Sequence, residues 1–345
     1  MPGAPSPVSG IVIDDLVAPD VPACVALWNE TCEGPRALVY KHLAPAAFSE
    51  LFMTSAADVA VVNLVARSGE EIVGFASGTV RTGAAPGGGG HGGGQGYITV
   101  VLVRDDQRRR GIGRALLGTL ETRLARASEG IDRYEVMFFN PVNLPWSVPG
   151  TDAHDHPNAP GVDVSCDGYL FLKNHGYRDI AYQNSYYLRL ADYRYPPDIQ
   201  ERITRLEDDG IRIVRYDPAL HHGLDELFDN LENDDWRETI VANLASDGPG
   251  DPVLIVEAGG RACGFTGPTR VQESGRGYFA GIGVHSDYRG RGAGKVLFAA
   301  LCMQLKEIGA SFMTLFTGET NPARNIYEAA GFRIVRTWAD MRKTR

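Results

Sequence analysis

The sequence predicts an α/β (α+β) fold built as two tandem copies of one domain, and three observations carry that prediction. Tyr278 to Leu297 reads as a buried strand ending at Val284, a loop carrying Arg289, Gly290, Arg291, Gly292, Ala293 and Gly294, and a helix from near Lys295. A chain that turns through glycines into a helix aims several backbone N–H groups at one spot with the helix dipole behind them, a geometry that holds phosphate. The signature occurs twice. Val103, Arg108, Arg109, Arg110, Gly111, Ile112, Gly113 and Arg114 repeat Val284, Arg289, Gly290, Arg291, Gly292, Ala293, Gly294 and Lys295 at a constant shift of 181 positions. Flanking landmarks agree, because Gly74-Phe75 and Gly264-Phe265 precede the two loops and Gly176-Tyr177 and Gly331-Phe332 follow them. The repeat therefore covers a whole domain.

A chain of 345 residues suits two domains, each able to bury a core. The formal charge of −9 argues against a nucleic-acid or anionic-membrane surface and is compatible with cationic amine substrates. Five cysteines, Cys24, Cys32, Cys166, Cys263 and Cys302, are odd in number and contain no C-x-x-C pair, which points away from a disulfide framework or zinc knuckle and toward a reduced, cytoplasmic setting. No apolar run approaches a membrane span, and MPGAPSPVSG lacks the pattern of a secretory signal.

Residues 1–9 are expected to be a flexible tail, and 10–191 the N-terminal domain. Gly10 to Val17 reads as a strand, Val21 to Cys32 and Pro45 to Met53 as helices, and Val59 to Ala66 and Ile72 to Val80 as strands around Ser68-Gly69-Glu70. The glycine-rich stretch between Thr82 and Gly96 has no following helix and reads as a hairpin connection rather than a phosphate cradle. Tyr97 to Val103 is the central strand, Gly111 to Ala127 the helix after the loop, and Tyr134 to Phe139 the next strand. Gly113 to Gly176 spans 63 positions against 37 from Gly294 to Gly331, so the first copy carries 26 additional residues, most of them an insert at about 140–164. Its prolines and glycines forbid a long helix. Asp152, His154, Asp155 and His156 within it have the residue types of a metal site, but an irregular loop supplies no visible scaffold for ligand geometry, and no metal is expected. A loop covering a cleft or the other domain fits better.

Tyr169 to His175 is a short helix, followed by strands Arg178 to Ala181 and Tyr186 to Leu190. Residues 192–209, with Tyr195-Pro196-Pro197 and then a charged helical run, read as a linker, and 210–345 as the C-terminal domain. There the plan repeats with strand Ile211 to Tyr216, helices Pro218 to Leu231 and Arg237 to Ala245, strands Val253 to Glu257, Ala262 to Arg270 and Met313 to Thr317, and helix Asn321 to Ala330 ending at Gly331.

Arg-x-x-Gly-x-Gly between strand and helix matches neither the dinucleotide fingerprint, since Leu297 takes the place of its third glycine, nor the P-loop spacing. Together with Val284 and the downstream Asn321, Ala323, Tyr327, Gly331 and Phe332, it resembles the acyl-CoA loop of the GNAT superfamily of N-acetyltransferases. The resemblance implies two tandem GNAT domains, each a mixed, mostly antiparallel sheet flanked by helices, with acetyl-CoA as cofactor. It implies that Ile282 and Val284 hydrogen-bond the pantetheine arm through their backbone, that Arg289 to Lys295 hold the pyrophosphate, and that Asn321 contacts pantetheine. Tyr327 takes the place of the tyrosine that protonates the departing thiolate; the alternative is a core aromatic on an amphipathic helix. Acyl transfer passes through a tetrahedral oxyanion that a backbone N–H can stabilise, and it expels a thiolate that a positioned acid can protonate. Phe279, Ala280 and Gly281 place no carboxylate on the central strand, leaving water, Asp234, Asp235 or Glu319 as routes for deprotonating the amine.

Counting back from Gly176 and Gly331, the first copy has Leu172 in place of Tyr327 and Cys166 in place of Asn321. The second domain is therefore expected to catalyse and the first to bind CoA or serve as structure, with Tyr169 a possible substitute acid. This division resembles the mycothiol synthase type of tandem GNAT enzyme in architecture. Asp234, Asp235 and Trp236, in the helix connection that walls the substrate in such folds, suit a cationic amine and equally suit a helix cap. The expected function is acetyl transfer to a small primary amine such as an amino sugar, amino acid or aminated metabolite. The alternatives are another acyl-CoA, a hydroxyl acceptor, or an idle acyl-CoA-binding module. Oligomeric state and acceptor identity have no signal in the sequence.

Overall fold

The computed structural model describes residues 8–34, 36–81, 94–138, 140–246, 248 and 250–345. Residues 1–7 of the expected tail and 82–93 of the glycine-rich connection lie outside them. The chain forms two units, the first from residues 1–151, 156–184 and 336–345, the second from 152–155 and 185–335.

In the first unit, strands Ile11–Asp15, Val59–Ser68, Glu71–Arg81 and Gly94–Val103 run antiparallel in chain order, and Ile131–Val136 joins in parallel. The β-branched residues of these strands suit a pleated surface buried on both faces. Helix Ile112–Ala127 covers one face with Ile112, Leu116, Leu120 and Leu124, four residues apart and therefore in one line. Helices Val21–Thr31 and Pro45–Met53 cover the other, where Trp28, Phe48 and Phe52 cluster on Phe75. The parallel pairing stops at Tyr97↔Glu135, and the two strands separate beyond it.

The sequence reading places residues 210–345 in one domain, whereas the last ten residues belong to the first unit. Within strand Arg333–Thr344, Met341 pairs with Val136 and Thr344 with Arg133, antiparallel. The side chains explain why this segment seats there. Trp338, Ala339 and Met341 are fully buried, Trp338 meets Trp146 edge-on at 5.2 Å, and Lys343 Nζ donates to Glu121 Oε2 at 2.7 Å. Arg342 and Arg133 both donate to the buried Glu135, which satisfies a carboxylate that could not otherwise be buried cheaply.

Asp340 on the same strand is buried and accepts from Gln183 Nε2 at 3.1 Å. Burial, with Glu135 adding repulsion, pushes its carboxyl up to about 6. The folded chain thus binds this proton more tightly than the unfolded one, so the group's contribution to stability falls as pH rises from about 4 to about 6. Asp340→Asn is expected to melt above the parent near pH ~7, with the gap closing near pH ~4. A gap that stays constant across that range in thermal melts would refute the assignment.

In the second unit, Ile211–Arg215, Leu254–Ala258, Arg261–Gly267 and Gly281–Val284 form a four-stranded antiparallel sheet in that order. Helix Ala293–Glu307 packs Val296 and Leu297 on one face, and helices Leu224–Leu231 and Asp234–Leu244 pack Leu227, Phe228 and Ile240 on the other. The expected helix from Pro218 begins only at Leu224, because Gly223 takes a left-handed φ of 84° and the Asp217 carboxylate turns the chain by accepting from Ala219 N. The expected strands on either side of residue 184 are one strand, Arg178–Arg189. The segment read as a linker contains helix Pro197–Asp208, which buries Ile199 and Leu206 and joins the core of Ile211, Val296 and Leu297. Apolar residues at 199, 203 and 206 form a helical stripe that its charged surroundings obscure.

Candidate active site

Strand Gly281–Val284 is the edge of its sheet, hydrogen-bonded to Arg261–Gly267 through the register Thr266↔Ile282 and Gly264↔Val284. Before it, Arg276 meets Phe312 in a parallel bridge, so the edge strand and Phe312–Gly318 start side by side. The regular strand is interrupted at 279–280, and beyond that the two run without further pairing. An opening between two strands results, with edge N–H and C=O groups along one side.

The strand leads through the 3₁₀ turn Ser286–Tyr288 into the loop, and helix Ala293–Glu307 follows. Gly290 and Gly292 take φ of 77° and 88°, left-handed values that let the chain fold back on itself before the helix. Arg289 Nε donates to Val284 O at 2.9 Å, which ties the loop to the strand end. The first copy repeats this geometry. Its 3₁₀ turn is Asp105–Gln107, Arg108 Nε donates to Val103 O at 3.2 Å, and Arg109 and Gly111 take φ of 65° and 90°. A Cβ on Gly113 would lie 3.4 Å from Phe171 Cε2 and one on Gly294 3.5 Å from Ile326 Cδ1, the two contacts coming from equivalent helix positions. Ile112 is buried at the start of its helix, and Arg114 Nε lies 3.3 Å from His175 Nε2.

The surroundings of the two loops differ in charge. Arg108 pairs with Asp105 at 3.3 Å and Asp167 at 3.7 Å, and Arg36 approaches both acids. Among the described residues Arg289 has no such partners, Pro322 standing where the first copy has Asp167. Arg291 lies over the Tyr288 ring at 5.7 Å.

Tyr327 sits on helix Arg324–Ala329, 8% exposed, its ring 5.0 Å from Phe298 and 5.8 Å from Tyr186. Burial, with Tyr186 nearby, pushes its phenol above the ordinary range, so it stays protonated at neutral pH. Its hydroxyl has no hydrogen-bond partner among the described residues. Asn321 is exposed, and its Oδ1 accepts from Ala323 N at 2.9 Å in the turn before the helix. Glu319 is exposed at the end of the neighbouring strand.

Of the residues expected to line an acceptor site, Trp236 reaches the central strand. A Cβ on Gly281 would fall within its indole, 2.5 Å from Cε2, and a Cβ on Gly283 would lie 2.6 Å from Leu231 Cδ1. The two glycines thus let the helix connection close directly onto the strand. Asp234 and Asp235 are exposed in the first turn of their helix, where Asn233 is the cap and accepts from Trp236 N at 2.9 Å. His154 stacks on Phe312 at 3.9 Å and bonds the Tyr187 hydroxyl at 2.8 Å, while His156 bonds Asn158 O at 2.7 Å.

Sequence reasoning missed Arg276. Its buried guanidinium donates to Thr314 Oγ1 at 2.7 Å and Thr314 O at 2.6 Å, so a side chain supplies the bond that the separating strands cannot. Burial lowers it to about 10, still protonated at neutral pH. A lone arginine in Ser-Gly-Arg-Gly-Tyr carries no local signal for that role. In the first unit the corresponding separation is occupied by the insert. Asn140 Nδ2 donates to Thr99 Oγ1 at 3.0 Å, and Leu144 packs among Val100, Leu102 and Phe52.

The fold and site define an acyltransferase. The chain matches the acetyltransferase (GNAT) family twice, over residues 25–145 and 218–332, and it belongs to that family as a tandem two-domain member. Family members in general draw the acetyl group from acetyl-CoA. Among solved structures it is similar to the GCN5-related glucosamine N-acetyltransferase region of a fungal multi-domain GH3 beta-N-acetylglucosaminidase, with TM-score 0.65 and 17% identity over 98% of this chain and 38% of that longer one. A tandem GNAT protein from the clavulanic acid biosynthesis pathway aligns with TM-score 0.56 and 17% identity over 97% of this chain and 98% of its own. A GCN5-related N-acetyltransferase from Sphaerobacter thermophilus does so with TM-score 0.58 and 15% identity over 97% and 96%. Nothing among curated proteins matches. No helix among the described residues is long and apolar enough to cross a membrane.

Proposed function

We propose that the second unit transfers the acetyl group of acetyl-CoA to a small primary amine by direct attack, with Tyr327 as the general acid. The observation that carries this reading is the convergence of an edge strand, a left-handed glycine loop at a helix entrance and a buried phenol within one unit. Gly281–Val284 is an edge strand suited to an extended amide-bearing arm through the backbone of Ile282 and Val284, the Val284 carbonyl also accepting from Arg289. The amides of Gly290 to Gly294 and the side chains of Arg289, Arg291 and Lys295 suit a diphosphate.

Acetyl-CoA supplies the activated thioester; the chain supplies position and a proton. Tyr327 holds its proton because burial disfavours the phenolate, so it can deliver that proton as sulfur leaves and carries charge. Trp236 lies over Gly281 and forms a wall for the acceptor, and its indole face suits an ammonium group before deprotonation. Asp234, Asp235 and Glu319 are exposed and, with water, are the routes offered for deprotonating the amine. Asn321 retains an amide nitrogen that its turn bond to Ala323 does not use.

The first unit serves as structure, since its loop arginine is already paired with carboxylates and its strand separation is filled. The test is calorimetric titration of acetyl-CoA followed by a screen of amino sugars, amino acids and diamines for release of free thiol. Absence of any acetyl-CoA binding would overturn the reading.

A further inference from the structure

The two loops share a backbone course and differ both in their own side chains, Arg109 standing where the second has Gly290, and in what surrounds them. Beside each left-handed glycine lies one residue from the segment that precedes its unit's first strand. In the first unit it is apolar: a Cβ on Gly111 would lie 3.5 Å from Val8 Cγ2. In the second unit the same construction on Gly292 lies 3.2 Å from Arg202 Nη1, which reaches the loop from helix Pro197–Asp208. Arg202 is held there by its neighbour one turn back, Nε donating to Asp198 Oδ2 at 2.9 Å. That bond uses one edge of the guanidinium and leaves donors on the other side for a second acceptor. Helix Pro197–Asp208 is itself fixed, because Leu206 packs in the unit's core and Ile199 is buried.

We propose that Arg202 is a ligand of the cofactor's diphosphate, contributed by the helix that precedes the second unit's sheet, and that Asp198 restrains it. This rests on the reading of the second unit as the acetyl-CoA site. A guanidinium offers paired donors in the geometry that phosphate oxygens accept, and it adds a charge at the loop where the first unit has a methyl group. Asp198 carries the opposite charge within reach of both Arg202 and Lys295, and both hold its carboxyl below the usual range. It therefore competes with a phosphate for the same cations. The two residues have opposite expected effects, which a purely structural ion pair would not produce.

The test is calorimetric titration of acetyl-CoA and of its 3′-dephospho form into the full chain and into Arg202→Ala, Arg202→Lys and Asp198→Asn, with thermal melts of each. Arg202→Ala is expected to weaken both ligands about tenfold, the scale of a lost charged hydrogen bond, and Arg202→Lys to recover part of the loss. Asp198→Asn is expected to tighten both by about twofold to threefold, as for removal of an exposed competing charge. Equal affinities for parent and Arg202→Ala overturn the proposal, as does a loss confined to the ligand that carries the 3′-phosphate. Weakening by Asp198→Asn of the same size as by Arg202→Ala also overturns it, because that would mark the pair as structural. If the parent binds no acetyl-CoA, the functional reading fails, an outcome distinct from a parent that binds and an Arg202→Ala variant that binds equally.

Discussion

Tyr327→Phe is expected to lower kcat by about 10²- to 10⁴-fold, the range for removing a positioned acid, while acetyl-CoA affinity changes little. The substitution keeps the ring among Phe298, Tyr186 and Phe332 and removes only the hydroxyl. That hydroxyl makes no hydrogen bond among the described residues, so its loss should cost little stability. A drop in kcat and kcat/KM together, without a change in melting temperature, is the signature of a group used only in the transition state. If turnover persists, the phenol is a packing residue. Leu172 at the equivalent position of the first unit is 6% exposed, so an aliphatic side chain packs equally well in that place.

Gly294→Glu is expected to weaken acetyl-CoA binding by at least about a hundredfold, whereas Gly113→Glu leaves affinity and a stoichiometry of one unchanged. Both glycines have room for a Cβ, the nearest atoms lying 3.5 Å from it at Gly294 and 3.4 Å at Gly113, so the contrast is electrostatic rather than steric. At the second loop the new carboxylate repels a diphosphate and itself takes up the positive end of the helix dipole. At the first it joins Asp105 and Asp167 beside an arginine that is already paired. Two binding sites, each removed by one variant, would show that the first unit holds cofactor as well.

Much of this architecture is legible without coordinates, because it is encoded over short distances. The repeated strand, glycine loop and helix depend on residues within about twenty positions of one another, and the left-handed φ at Gly111 and Gly292 is what glycine at those places is for. The turn at Ser68 to Glu71 and the helix stop at Gly331 are likewise local. Errors gather where a local pattern is interrupted by one residue, as at Gly223, or where a charged surface hides an apolar stripe, as in Pro197–Asp208.

The helix connection around Trp236 falls between these cases. The sequence places Trp236 in the helix connection, whereas its close approach to the central strand depends on the missing Cβ at Gly281, a residue 45 positions away. Asp234 and Asp235 have the same composition in either role, and the structure gives them the exposed first turn of a helix.

From the residue order alone follow the duplication, the family, the two loops and the absence of the tyrosine from the first copy, since each is a pattern at fixed offsets. Only the folded chain decides that residues 336–345 complete the first unit's sheet, that Arg276 bonds Thr314 where two strands part, and that Arg202 rather than an apolar residue lies on the second loop. Those outcomes depend on which distant surfaces match in shape and charge, and the offsets along the chain carry no record of that match.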